Sequence, residues 1–357
     1  MKAGIWGAGF IAHTHAEALK GEGVTLGAVV DVDLKCAAEL AGRWGAEAYS
    51  TDSDILFRDD ITAVHVCTPP NLHYEMVKQL LDAGKHVLCE KPLCFENEQA
   101  EKLVLVAKEK SLVCAVNYNV RYHGACQTAM EIVSSADFGK VLLVHGSYLQ
   151  EFHALPAQTG WRYSAELAGK MRAVTEIGSH CMDISQYISG KKITHVSAMF
   201  ANFHPTRIID NDMMLNPEIN KTGNTCDVIS EDVATVNIRF EDGAIGSAVF
   251  SEVSQGRINR LSLEVTGENS NLWWNSEDNN LLHTAQKGTG VNTRIFAFGN
   301  GFTDTFRSLL KEFYKDVRLG VISDKPDYPC FEEGALIVRL CNALYESAQN
   351  DAKWIEV

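Results

Sequence analysis

The sequence has no run approaching the ~18 consecutive apolar residues that a membrane-spanning helix needs. Residues Met1 to Gly9 lead straight into strand-like sequence, with no charged leader region or cleavage site, so a soluble, cytoplasmic protein is expected. An excess of basic residues is also missing. Against 46 acidic residues stand 32 basic ones, a formal net charge of −14, which argues against a general nucleic-acid binder or a binder of anionic membranes. The ten cysteines never form a C-x-x-C pair; no metal site is expected from them, and they read as reduced thiols in a reducing compartment, mostly small core residues. No internal repeat or low-complexity segment occurs. What is present is ordinary for globular proteins: 357 residues, 46% apolar and 22% charged, enough for about two domains at 100–200 residues each.

Short apolar strands alternate with amphipathic helical stretches through the first third. Ala3–Trp6, Thr25–Val30, Ala63–Cys67, His86–Cys89 and Leu112–Val116 read as strands; Ile11–Leu19, Leu34–Trp44, Leu72–Ala83 and Asn97–Lys108 read as helices. This rhythm predicts right-handed crossovers and an α/β, doubly wound parallel sheet of the Rossmann kind, buried on both faces. Near Tyr122 the pattern changes. After a helix at Cys126–Ser134 come longer alternating strands at Val141–Leu149, Val196–Phe203, Val233–Phe240, Ala244–Ser251 and Arg260–Thr266, with turn residues Glu241-Asp242-Gly243 between two of them. A second, α+β domain with an open, mainly antiparallel sheet is expected, carrying helices near Ser179–Ile188, Phe302–Val317 and Phe331–Ser347. The expected division is residues 1–120 and 121–357. His204 to Ser230 is polar, holds two prolines and lacks periodicity, so it reads as a long loop.

Gly7-Ala8-Gly9-Phe10-Ile11-Ala12 follows a strand and opens a helix, giving G-x-G-x-x-A in the context that makes a dinucleotide fingerprint. Gly7 permits the tight turn, Gly9 lets the backbone approach a pyrophosphate, and Ala12 allows close helix–sheet packing. The helix start at Phe10 and Ile11 offers unpaired N–H groups and the positive end of a dipole. Asp31 ends the second strand about 22 residues beyond Gly9, where a carboxylate accepts from ribose hydroxyls and repels a 2′-phosphate; NAD is therefore preferred to NADP. Thr68, Asn71 and His73 lie where the next strand meets its helix, the crest at which such sheets bind ligands, so they are candidate cofactor contacts; Asn71 reads equally as a helix N-cap. Glu90-Lys91-Pro92 closes the following strand, adding Glu90 to the candidate cofactor contacts and setting it beside a lysine that can polarise a hydroxyl or carbonyl oxygen. In Glu176-Ile177-Gly178-Ser179-His180-Cys181-Met182-Asp183, helical spacing would set Glu176 and Asp183 on the side of His180, giving an imidazole with carboxylate neighbours suited to general-base work.

The order G-x-G-x-x-A, Glu90-Lys91-Pro92, Asn119-Val120-Arg121-Tyr122 and Gly178-Ser179-His180 resembles the Gfo/Idh/MocA family of NAD(P)-dependent sugar and inositol dehydrogenases, over nearly the whole chain. The resemblance implies a Rossmann domain, a C-terminal domain whose open sheet often forms homo-oligomers, and an active site drawing on both. It places the family's catalytic lysine on Lys91, in a Lys91–Pro92 peptide that is commonly cis. The Asp-x-x-x-His signature falls on Glu176 and His180, a departure of one methylene. Asn119 joins the cofactor contacts and Arg121 the substrate contacts. Gln150, Trp161-Arg162 and Arg172-Ala173-Val174 look like the branch acting on pyranosides such as glucosides and anhydrosugars, often at C3. On that reading Trp161 offers a flat face to a sugar ring, Arg162 a donor to the cofactor, and Arg172, with Asp183, polar contacts to substrate. The implied activity is reversible oxidation of a secondary hydroxyl to a ketone. Inositol oxidation, redox-neutral glycoside cleavage through a transient ketone, and a non-enzymatic NAD(H) or sugar sensor stay open.

Overall fold

In the computed structural model, which describes residues 1–219, 221–299 and 301–357, the amino-terminal strands are short, and all but one, of two residues, are apolar and largely buried. They are β1 (Lys2–Trp6), β2 (Thr25–Val30), β3 (Tyr49–Ser50), β4 (Ile61–Val66), β5 (His86–Cys89) and β6 (Cys114–Val116), in the spatial order β3-β2-β1-β4-β5-β6 with every pairing parallel. Helices α1 (Phe10–Gly21), α2 (Leu34–Trp44), α3 (His73–Asp82) and α4 (Asn97–Glu109) alternate with them. Strand order reverses between β1 and β4, so their carboxyl ends open a crevice at the top of the sheet, the place where doubly wound sheets take ligands. The helix α2 starts on Asp33, whose side chain accepts from Lys35 N, and stops at Gly45 in the left-handed region.

In the second compact unit a nine-stranded sheet has the order β18-β17-β16-β15-β7-β14-β13-β9-β19. Its strands are β7 (Val141–Leu149), β9 (Ile193–Ala201), β13 (Val233–Phe240), β14 (Ile245–Ser251), β15 (Arg260–Gly267), β16 (Asn271–Asn275), β17 (Leu281–Gln286), β18 (Gly290–Ile295) and β19 (Ile355–Glu356). All its pairings are antiparallel except β14 with β7. Asp242 and Gly243 adopt positive φ in the turn joining β13 to β14. Helices α5 (Gly124–Val133), α6 (Ala165–Ala168) and α7 (Ser179–Ser189) belong to this unit. The stretch expected as a loop from His204 to Ser230 instead contains β10 (Thr206–Asp210), β11 (Met213–Leu215) and β12 (Asn224–Asp227), which with β8 (Ala157–Gln158) form a four-stranded sheet. These strands are too short to print a period, and the pairing that stabilises them is non-local; Asn220, in the same stretch, lies outside the described residues.

The carboxyl-terminal helices are α8 (Phe302–Leu319) and α9 (Phe331–Gln349). The two compact units are Met1–Tyr122 with Gly301–Val338, and His123–Asn300 with Arg339–Val357. Helix α8 therefore packs in the first unit, whereas the sequence pattern had assigned it to the second domain. Its stripe Phe306, Leu309, Leu310, Phe313, Tyr314 and Val317 clusters with Ala12, Ala16 and Leu19 of α1. The small residues of α1 admit a close helix neighbour, and each large side chain buried there contributes about 1.5–3 kcal/mol. After α8 the chain returns to the edge of the parallel sheet, where Cys330 pairs with Ala115. All ten cysteines are free thiols, and among the described residues no helix is long and apolar enough to cross a membrane.

Candidate active-site residues and family membership

The crest of the first unit is shaped by two glycines with different duties. Gly7 has φ +98°, and a Cβ there would lie 2.7–2.8 Å from Cys67 and Thr68 backbone atoms, so both conformation and space demand glycine. A Cβ on Gly9 would meet nothing within 4 Å; its bare backbone faces open space at the start of α1. The first turn of α1 holds no acidic residue, and Phe10 is 86% exposed. This is the cradle that an anionic pyrophosphate requires. The Asp31 carboxylate accepts from Ala8 N at 2.6 Å and from Asp33 N at 2.9 Å, which fixes it beside the glycine turn. Asn71 is not a cap: α3 begins after Leu72 without a side-chain cap, and the buried Asn71 Oδ1 has no hydrogen-bond partner. An orphaned acceptor at this crest fits a ligand with hydroxyl or amide donors. A nicotinamide dinucleotide therefore fits the geometry of this turn, and Gly7, Gly9, Phe10, Ile11 and Asp31, with Thr68 and Asn71 alongside, are the residues that would hold it.

Three residues expected to meet ligand have other duties in the first unit. His73 is fully buried, with Nδ1 2.7 Å from the Pro92 carbonyl and Nε2 2.9 Å from that of Thr68. It braces two crest turns together instead of facing the cofactor, and burial lowers its pKa more than the two carbonyls raise it. Asn119 donates to Thr305 Oγ1 at 2.7 Å, tying the turn after β6 to α8. Arg121 is paired with Glu333 at 2.7 Å and is nearly buried. Their sequence motif is a packing motif here as much as a binding one. Lys91 is half-exposed directly after β5, and the Lys91–Pro92 peptide is cis.

In the second unit, Glu176 sits in a π turn (Val174–Gly178) that runs into α7, so the segment is not one uniform α-helix. A side chain on Gly178 would strike the Phe250 ring at 2.6 Å, which is how this turn approaches β14. Glu176 accepts from Arg162 Nε at 2.9 Å, and the Arg162 guanidinium lies 4.4 Å from the Trp161 ring centre. Arg162 is thus engaged by Glu176 and covers one face of the tryptophan, while its side chain stays 44% exposed. His180 is half-buried with the Tyr148 ring 6.4 Å away, while Asp183 is 1% exposed and presents almost no surface to a ligand. Gln150 and Tyr148 both donate to Asn259 Oδ1.

Arg172 is the clearest correction. It is fully buried, bonded through Nε to Glu252 at 2.6 Å and through Nη2 to Asp232, which Arg207 also meets at 2.8 Å. Both guanidinium groups lie over the Tyr163 ring, 5.1 and 4.9 Å from its centre. The tyrosine hydroxyl is 2.6 Å from His153, whose pKa burial lowers to about 3. Glu231 completes the cluster by accepting from the backbone N–H groups of Arg172 and Val174. The sequence could not show this partnership, because the carboxylates around Arg172 lie 59–80 positions away.

Two arginines against three carboxylates leave room for one proton. Burial raises both Glu231 and Glu252 to about 7; the proton belongs on Glu231, because Glu252 has a guanidinium at 2.6 Å. A carboxyl whose folded pKa exceeds its unfolded value binds more protons when folded, so this stabilisation is full below about 4.5 and is lost as pH rises through about 7. Glu231→Gln keeps the acceptor without the charge. It is expected to melt near the parent at about pH 4 and about 10 °C above it at about pH 8.5, reflecting about 3 kcal/mol for a carboxyl raised from 4.5 to about 7, in thermal melts followed by circular dichroism.

Comparison with known proteins agrees with both units. The family model described as an oxidoreductase family with an NAD-binding Rossmann fold matches residues 1–118, and the GFO/IDH/MocA C-terminal domain matches residues 126–272. Levoglucosan dehydrogenase of Pseudarthrobacter phenanthrenivorans is 27% identical over 352 residues, covering 92% of this chain and 88% of its own. Myo-inositol 2-dehydrogenase of Thermotoga maritima is 26% identical over 353 residues, covering 98% and 96%. A solved structure of levoglucosan dehydrogenase in complex with NADH and L-sorbose superposes with a TM-score of 0.90 at 26% identity, covering 100% of this chain and 98% of that one. With the glycine turn, the Asp31 carboxylate and the mainly antiparallel second sheet all in place, the chain belongs to the Gfo/Idh/MocA family of NAD-dependent oxidoreductases.

Proposed function

We propose that this enzyme reversibly oxidises a secondary hydroxyl of a pyranoside or anhydrosugar, at C3, to a ketone, with Lys91 and His180 as its catalytic residues. The observation that carries this reading is Lys91 itself. It is a half-buried lysine at the carboxyl edge of the parallel sheet, on the same crest as the dinucleotide cradle, in a chain similar over 92% of its length to levoglucosan dehydrogenase. Bound NAD+ supplies the hydride acceptor. The Lys91 ammonium stabilises the negative charge that grows on the substrate oxygen, and the His180 imidazole takes the hydroxyl proton. Glu176, anchored by Arg162, supports the imidazolium by its charge. Trp161 contributes apolar surface to a sugar ring. We further read the outward face of the second sheet, where Met199, Thr235 and Val249 lie side by side with Met199 64% exposed, as a surface for homo-oligomer formation.

The test incubates the protein and NAD+ with levoglucosan, a panel of glucosides and myo-inositol, following NADH absorbance and locating the new carbonyl. NADH formed together with a C3 ketone is the expected result. Turnover of myo-inositol alone replaces the pyranoside assignment. Cleavage of a glycoside to free sugar without NADH accumulation, or no hydride exchange with any compound, overturns the dehydrogenase reading.

A further inference from the structure

Behind Lys91 lies a row of buried polar groups that the proposed chemistry does not use. His15, on α1, has Nε2 2.7 Å from Glu90 Oε1 and Nδ1 2.8 Å from His65 Nδ1; His65 Nε2 is 2.8 Å from the Tyr314 hydroxyl of α8. Asn117 Nδ2 donates to the same Glu90 oxygen at 2.6 Å, and the Lys91 backbone N–H donates to Glu90 Oε2 at 3.3 Å. His15 and His65 are both fully buried.

The protons in this row have one consistent arrangement when both imidazoles are neutral. A carboxylate only accepts, so His15 carries its proton on Nε2 and its Nδ1 is a lone pair. His65 must then donate from Nδ1, which leaves its Nε2 to accept from the Tyr314 O–H. Burial keeps His65 neutral by pushing its pKa well below the ordinary value. With both imidazoles neutral every donor points the same way, from Tyr314 through His65 and His15 to Glu90. Burial alone would raise the Glu90 pKa, but His15, Asn117 and Lys91 together bring it below the ordinary carboxylate value. The carboxylate is anionic and is held by donors from three elements.

We infer that Glu90 is a positioning residue: the Tyr314–His65–His15 row fixes its carboxylate, and the carboxylate fixes the backbone and sets the field of the adjacent Lys91. Helix α1 carries both the dinucleotide cradle at its first turn and His15 in its middle. The row thus links the element that holds the coenzyme to the residue proposed to meet the substrate oxygen. This inference rests on the role proposed for Lys91, so its test includes a readout that needs no sugar.

Lys91 and the exposed Lys102 are labelled with trinitrobenzenesulfonate in the parent protein, Glu90→Gln, His15→Asn and Tyr314→Phe, and quantified by mass spectrometry. Removing the charge or its imidazole brace is expected to speed Lys91 labelling about fivefold relative to Lys102, and deleting the distal hydroxyl about twofold. NADH dissociation constants stay within about threefold. With levoglucosan as the probe, Glu90→Gln lowers kcat about tenfold while the KM for NAD+ holds. Lys91 labelling unchanged in Glu90→Gln and Tyr314→Phe overturns the inference, and so does NADH affinity that falls in step with kcat, the mark of a collapsed fold. Tyr314→Phe lacks one oxygen only, so its labelling decides the matter if Glu90→Gln does not fold. A parent protein that turns over no levoglucosan counts against the proposed substrate and leaves the labelling result standing.

Discussion

Replacing Lys91 by alanine is expected to lower kcat by about 10²–10³-fold while the dissociation constant for NADH stays within about threefold. The split follows from where charge appears. On the proposed reading the dinucleotide would be held by backbone groups of the Gly7–Gly9 turn, by the start of α1 and by Asp31, and Lys91 is not among these groups. The substrate oxygen becomes negative only as the hydride leaves, so an ammonium aimed at it is worth most in the transition state. Turnover and KM measured with levoglucosan, and NADH binding followed by fluorescence, separate these effects. An alanine variant with unchanged kcat removes Lys91 from the mechanism; one that loses NADH affinity reassigns it to the cofactor site.

Arg172→Met is expected to destabilise the second unit by about 3–5 kcal/mol, because it leaves Glu252 buried without its cation and halves the positive charge around Asp232. In a unit of this size that amounts to roughly 10 °C in melting temperature. The fraction that remains folded is expected to bind substrate with an unchanged KM. A variant with the parent's melting temperature and a KM raised about tenfold would instead make Arg172 a substrate ligand. Arg207 stays bonded to Asp232 at 2.8 Å, so Glu252 is the group left exposed to the loss. The defect is therefore expected to ease at acidic pH, where Glu252, raised to about 7 by burial, is already neutral.

Arg121, His73 and Arg172 lie in motifs that suggest ligand contact, yet each is closed off by partners within its own unit. Their residue types were correct for binding sugars and phosphates, and equally correct for buried ion pairs and braces. Gly7 and Asp31 differ because backbone φ, the length of a strand and the start of a helix constrain them locally. Asn71 stood between two readings, and the start of α3 removes the cap reading alone. The His15–Glu90 row left no local signal: His15 looks like any helical histidine, its neighbours His65 and Glu90 lie 50 and 75 positions further along the chain, and Tyr314 lies 249 beyond His65.

The sequence by itself determined the alternation of strands and helices in the first unit, the glycine turn with its strand-end carboxylate, and the change to alternating strands beyond Tyr122. These are properties of period and of backbone conformation, written over a few residues at a time. Only the tertiary structure decided that α8 closes the first unit against α1, that the stretch after His204 pairs into a small sheet, and which charged side chains are buried with partners. A helix carries its apolar stripe without naming the surface that will cover it, and a short edge strand or a buried ion acquires its stability from groups far away in the chain. Hydrophobic burial and charge pairing of that kind depend on three-dimensional proximity, which periodicity does not encode.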